Sequence, residues 1–171
     1  IGGLRRRLNV MIWSALAVAA IAEAGWLVWL SADIYGAPVI AVCLHGGVWT
    51  VLTETRFGLV TTIRLGLAAL LALLVLWPAT RLLQIAAGAG LIALIALVGH
   101  AGATPGTAGD IHLASDMAHL LAAGAWLGGL PALAMLLAAA RQANDAAWRG
   151  LAIGAIRRFS WLGTICVAVL M

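Results

Sequence analysis

The chain has 171 residues, 64% of them hydrophobic and 9% charged, with a mean hydropathy of +1.09, whereas a soluble globular domain is about 45–50% apolar and about 25% charged. Those proportions exclude a water-soluble domain, a disordered tail and a disulfide-rich secreted module. The net charge of +4 comes from arginines without a single lysine, grouped between apolar runs as on the cytoplasmic flanks of membrane spans; the basicity concerns orientation, and no nucleic-acid partner is expected.

A bilayer core of about 30 Å takes about 20 helical residues. The first run that qualifies is Leu8 to Leu30, behind Arg5, Arg6 and Arg7. It is too long for a signal peptide and no cleavage pattern follows. Next comes Pro38 to Leu52, whose roughly 15 residues fit a re-entrant or interfacial segment and include His45, Gly46 and Gly47. Three further runs qualify as spans: Leu59 to Ala79, Leu82 to His100 and Ile111 to Ala139. A fifth starts at Phe159 and is cut at Met171, so the chain reads as a piece of a longer protein, a single multi-pass domain over 1–171. Lipid offers the backbone no hydrogen-bond partner, and runs this long lack the alternation of barrel strands. The expected fold is therefore all-α, a polytopic transmembrane helix bundle of four long spans, a truncated fifth and one short segment.

Whether 38–52 crosses decides the topology. If it does not, Arg5, Arg6, Arg7, Arg81, Arg141, Arg149, Arg157 and Arg158 all fall on one side and Arg56 alone lies opposite. The positive-inside rule favours that arrangement, with 31–58 and 101–110 periplasmic and 140–158 cytoplasmic. It also brings two charges inside apolar runs, Glu23 and Arg64, to depths that agree within about 3 Å. Charges within spans usually pair. An intramembrane Glu23–Arg64 pair is expected, against the alternatives that Arg64 reaches outward to water or meets Glu54. Cys43 and Cys166 lie inside apolar stretches with no CxxC pattern and read as packing residues.

Three of the four histidines fall within twenty residues, His100, His112 and His119. Pro105, Gly106 and Gly109 mark 101–110 as a connector, with Asp110 expected as the N-cap of a helix starting at Ile111. The flanking helices return antiparallel, which brings His100 near His112. At roughly 100° per residue, His112, Asp116 and His119 share one narrow stripe within about 60°. Trp126 continues it, while Met117 points about 140° away. Imidazoles with a carboxylate suit copper, zinc, iron or nickel, and Asp116 serves either as a ligand or as an acceptor for a ligating histidine's other nitrogen. His45 is an accessory candidate from the short outer segment. Gly124, Gly128 and Gly129 permit close helix contact, and Pro131 allows a kink.

At these residues the sequence resembles the copper resistance protein D family (CopD and PcoD) of bacterial inner-membrane proteins. Three blocks carry the resemblance: Thr53-Glu54-Thr55-Arg56-Phe57-Gly58 with Ile63-Arg64-Leu65, Gly99-His100-Ala101, and the run from His112 through Asp116, His119 and Trp126 to Leu130. The last block is the most specific. The resemblance implies a longer family protein with further helices on both sides. It also implies copper handling at the cytoplasmic membrane, with uptake from a periplasmic CopC-like carrier. By matching positions, His100, His112, Asp116, His119 and Trp126 are the family's conspicuous polar and aromatic residues.

The function expected is copper binding and transfer across the membrane through a histidine-lined outer site. The competing classes are a membrane scaffold or metal sensor without transport, and a haem-binding electron carrier, since facing histidines can ligate haem iron. A P-loop needs the lysine this chain lacks, and neither an HExxH nor a nucleophile motif occurs. No enzyme is expected, and any drive comes from gradients, exchange or a partner.

Overall fold

The computed structural model describes residues 2–99 and 106–171, and the regular structure among them is entirely helical. Among the described residues seven α-helices follow one another: α1 (Gly2–Tyr35), α2 (Val39–Leu44), α3 (Gly47–Glu54), α4 (Arg56–Val75), α5 (Arg81–Ala93), α6 (Thr107–Ala143) and α7 (Ala146–Leu170). Short 3-10 helices at Pro78–Thr80 and Leu94–Val98 flank α5. Among the described residues five stretches are long and apolar enough to span a bilayer: Gly2–Tyr35, Arg56–Val75, Pro78–Val98, Thr107–Ala143 and Ala146–Leu170. The large apolar side chains point outward; Leu82, Leu44 and Ile40 are 74–83% exposed. That is the arrangement expected of a chain whose solvent is lipid. The helices divide into two units, one of residues 1–10 with 99–171 and one of residues 11–98.

In the 11–98 unit, the chain leaves α1 through Gly36 at φ 58° and breaks again at Gly46 at φ 76°, both left-handed conformations that favour glycine. Between them, α2 and α3 are only 6 and 8 residues long, or about 9 and 12 Å, and neither alone reaches across a bilayer core. Thr55 then serves two helices. Its hydroxyl donates to the Val51 carbonyl at 2.6 Å, at the end of α3, and accepts from the Gly58 amide at 3.0 Å, at the start of α4. The corner is tight: a Cβ on Gly58 would run into the Leu52 carbonyl oxygen. At the other end of α4, orphan carbonyls are taken up by side chains. Thr80 Oγ1 and Gln84 Nε2 both donate to the Leu74 carbonyl at 2.9 Å, and both reach Trp77 as well. Pro78 opens the following turn, and α5 returns against α4 where Gly90 meets Leu67.

In the other unit, α6 and α7 form an antiparallel hairpin. Asn144 turns the chain in the left-handed region, and Asp145 caps α7 by accepting from the Ala147 amide at 3.2 Å. Close packing comes from glycines facing aromatic rings. A Cβ on Gly129 would meet the Phe159 ring at 2.7 Å, and one on Gly163 would meet Trp126 at 3.5 Å.

Several boundaries differ from those expected, and α1 runs Gly2–Tyr35 rather than Leu8 to Leu30. The last helix begins at Ala146, not Phe159, and its 25 residues are long enough to span. Arginine is among the better helix formers, so Arg149, Arg157 and Arg158 interrupt the hydropathy without interrupting the helix. Asp110 is not an N-cap: α6 starts at Thr107 with Gly106 as its cap, and Asp110 lies in the first turn. There its charge faces the positive end of the helix dipole. At its other end α6 runs through Pro131, as expected, and continues to Ala143, four residues past Ala139.

Candidate functional site

Polar chemistry in this apolar chain is concentrated in two places, one in each unit. In the 11–98 unit, α1 carries Glu23, Leu27 and Ser31 at intervals of four, which places them along one face. Leu27 is 7% exposed and Ser31 fully buried, its hydroxyl donating to the Leu27 carbonyl at 2.7 Å. From α4, Arg64 Nη1 reaches both carboxylate oxygens of Glu23, at 2.8 Å from Oε1 and 2.6 Å from Oε2. The two side chains are 18% and 11% exposed. Within this unit no other helix brings an α-carbon within 8 Å of α1. The ion pair is therefore the polar tie between α1 and α4, made by side chains long enough to bridge the gap.

One turn before Arg64 lies Thr61, fully buried, whose Oγ1 has no hydrogen-bond partner among the described residues; Arg64 Nε shares that condition. Thr62, Thr53 and Thr50 instead donate back to carbonyls four residues earlier. The sequence reading passed over Thr61 and Ser31. The available signal was their spacing, three residues from Arg64 and eight from Glu23.

In the other unit, α6 carries the histidine stripe near its N-terminal end. His112 and His119 are exposed and Asp116 is half-buried. In a helix, Asp116 sits about 6 Å along the axis from His112 and about 4.5 Å from His119, while the two histidines are about 10.5 Å apart. Asp116 can thus share a cation with either imidazole. Two histidines separated by two turns of one helix do not close on one ion without donors from elsewhere. Among the described residues, no group of three or more His, Cys, Asp or Glu side chains converges so as to hold a metal ion. His100 lies outside the described residues.

The accessory candidates are dispersed. Trp126 is half-buried against α7 at Gly163, so its ring packs the hairpin. His45, exposed, closes α2, its amide donating to the Ala41 carbonyl at 3.0 Å. Cys43 is exposed and Cys166 buried, both as free thiols.

Five spanning helices with charges paired inside them define a multi-pass membrane protein. The pattern of the family described as "Copper resistance protein D-like, N-terminal domain" matches residues 2–110, and the chain belongs to that family. It is also similar to the inner membrane protein YebZ of Escherichia coli (strain K12), with 32% identity over 96% of this chain and 53% of the relative. The chain thus spans about half the length of that relative. No solved structure matches.

Proposed function

We propose that this chain is part of a copper-handling protein of the bacterial inner membrane, which receives copper on the periplasmic side and passes it inward along α6. The observation that carries the reading is the stripe of His112, Asp116 and His119 at the N-terminal end of a spanning helix, in a member of the copper resistance protein D-like family. Neither imidazole is engaged in a hydrogen bond or ion pair among the described residues, which leaves their nitrogens open to a metal. Copper is the cargo. It moves between an upper position at His112 and Asp116 and a lower one at Asp116 and His119.

The orientation follows from charge. Arg5, Arg6, Arg7, Arg81, Arg141 and Arg149 flank spans on the cytoplasmic side under the positive-inside rule; Arg157 and Arg158, expected in a cytoplasmic loop 140–158, instead lie 11 and 12 residues into α7. This puts the N-terminal end of α6, with His112, on the periplasmic side, where a CopC-like carrier delivers the metal.

The test is copper content and cellular copper accumulation for the wild-type protein and a His112→Ala/His119→Ala variant. The variant is expected to lose its copper and to accumulate none above background. Equal copper content in both removes these residues as ligands. Loss of content with unchanged accumulation supports a sensor or scaffold, and a Soret band in the purified protein supports haem binding.

A further inference from the structure

His112, Asp116 and His119 offer a metal ion imidazole nitrogen and carboxylate oxygen but no sulfur. Their helix is unbroken from Thr107 to Ala143, so Asp116 stands about one turn from each imidazole on a shared face. Sulfur ligands select Cu(I), whereas nitrogen and oxygen donors in a tetragonal set suit Cu(II). The sulfurs of the same unit stand apart from the stripe. Met117 is turned about 140° from His112 and about 160° from His119. Met135 lies about 24 Å beyond His119 along α6. On α7, the close approaches of Phe159 to Gly129 and of Trp126 to Gly163 set the register of the hairpin. They put Cys166 about level with Ala122 and Met171 about level with Ala118. Cys166 is buried, at 3% exposure, and points about 140° around α7 from Met171, so these two sulfurs do not join on one ion.

We propose that α6 takes its copper as Cu(II), held at each of the two positions by an imidazole nitrogen and an Asp116 carboxylate oxygen. This rests on the copper reading of the same stripe and adds the oxidation state of the cargo. Charge favours the same ion, because a carboxylate attracts a divalent cation about twice as strongly as a monovalent one at equal distance. The ion passes from one position to the other without gaining an electron, so no reductant enters the step.

The experiment loads the purified, detergent-solubilised protein with Cu(II) in air or with Cu(I) under argon, and measures each affinity by competition against a chromophoric chelator. The wild type is expected to hold Cu(II) at least about tenfold more tightly than Cu(I), with a tetragonal electron paramagnetic resonance spectrum split by imidazole nitrogen. Asp116→Asn lowers the Cu(II) affinity about tenfold and leaves the metal-free melting temperature unchanged. Asp116→Met, which brings a thioether into the stripe, shifts the preference toward Cu(I). Cys166→Ser/Met171→Leu leaves the Cu(II) affinity unchanged. Tighter binding of Cu(I) by the wild type overturns the proposal while leaving the copper reading in place, and so does a Cu(II) affinity that Asp116→Asn does not move or that Cys166→Ser/Met171→Leu abolishes. Retention of neither ion by the wild type overturns the copper reading itself.

Discussion

Glu23 with Arg64, and His112 with Asp116 and His119, are both sets of ionisable groups on spanning helices, yet the structure treats them in opposite ways. The first is closed: opposite charges from two helices meet within 3 Å, largely out of solvent. The second is open: the imidazoles of one helix stand exposed, two turns apart. A charge within a span is tolerated when another helix neutralises it, so the closed set holds helices together. The open set holds nothing together, and its donors are free for a ligand. Polarity in this apolar chain is thus partnered across helices in one place and unpartnered in the other.

The sharpest way to break this contrast is to remove one member of the closed set. Glu23→Ala leaves Arg64 mostly buried and uncompensated, and should destabilise the protein by about 3 kcal/mol, read from denaturant unfolding in mild detergent. The double variant Glu23→Leu/Arg64→Leu should recover most of that loss, because replacing both charges by apolar groups is often neutral. A double variant as unstable as the single one would mean that the pair's geometry, not its uncompensated charge, holds α1.

A smaller effect is expected at the corner that presents α4. Gly58→Ala drives a Cβ into the Leu52 carbonyl and should cost about 1–3 kcal/mol as an overpacking substitution. Gly128→Ala on α6, where an added Cβ meets nothing within 4 Å, should be neutral in the same melting experiment.

The smallest effect belongs to the open set. His112→Ala and His119→Ala should each stay within about 0.5 kcal/mol of the wild type in metal-free buffer, as exposed substitutions do. With copper present, the wild type should gain stability by mass action and the double variant should not. A large metal-free loss in either single variant would show that the imidazoles serve packing after all.

Much of this was legible along the chain. Four of the five spanning helices lie where the apolar runs lie, because a backbone in lipid must satisfy its own hydrogen bonds. Residues 38–52 were expected as one short segment, and its division into two helices at Gly46 was not read from the sequence. What hydropathy misread were the ends: α7 was expected thirteen residues too late, since arginine lowers hydropathy but supports a helix, and α6 was expected to start at Ile111 although Gly106 supplies the turn. The histidine stripe on α6 follows from helical period alone, being internal to one continuous helix. The burial of Thr61 and Ser31 did not follow, because period places a residue on a face without saying what that face meets.

By itself, then, the order of residues determined the helical fold class, the positions of the long spans and the shared face of His112, Asp116 and His119, all of which depend on interactions within about one helical turn or on the solvent the chain requires. Tertiary structure decided that Arg64 meets Glu23, as its depth led one to expect, rather than Glu54 or water, and it alone decided that Trp126 packs against Gly163 and that three apolar stripes leave a groove with one arginine in its wall. Those outcomes depend on contacts between helices far apart in the chain, where side-chain reach and backbone approach, rather than local pattern, set the result.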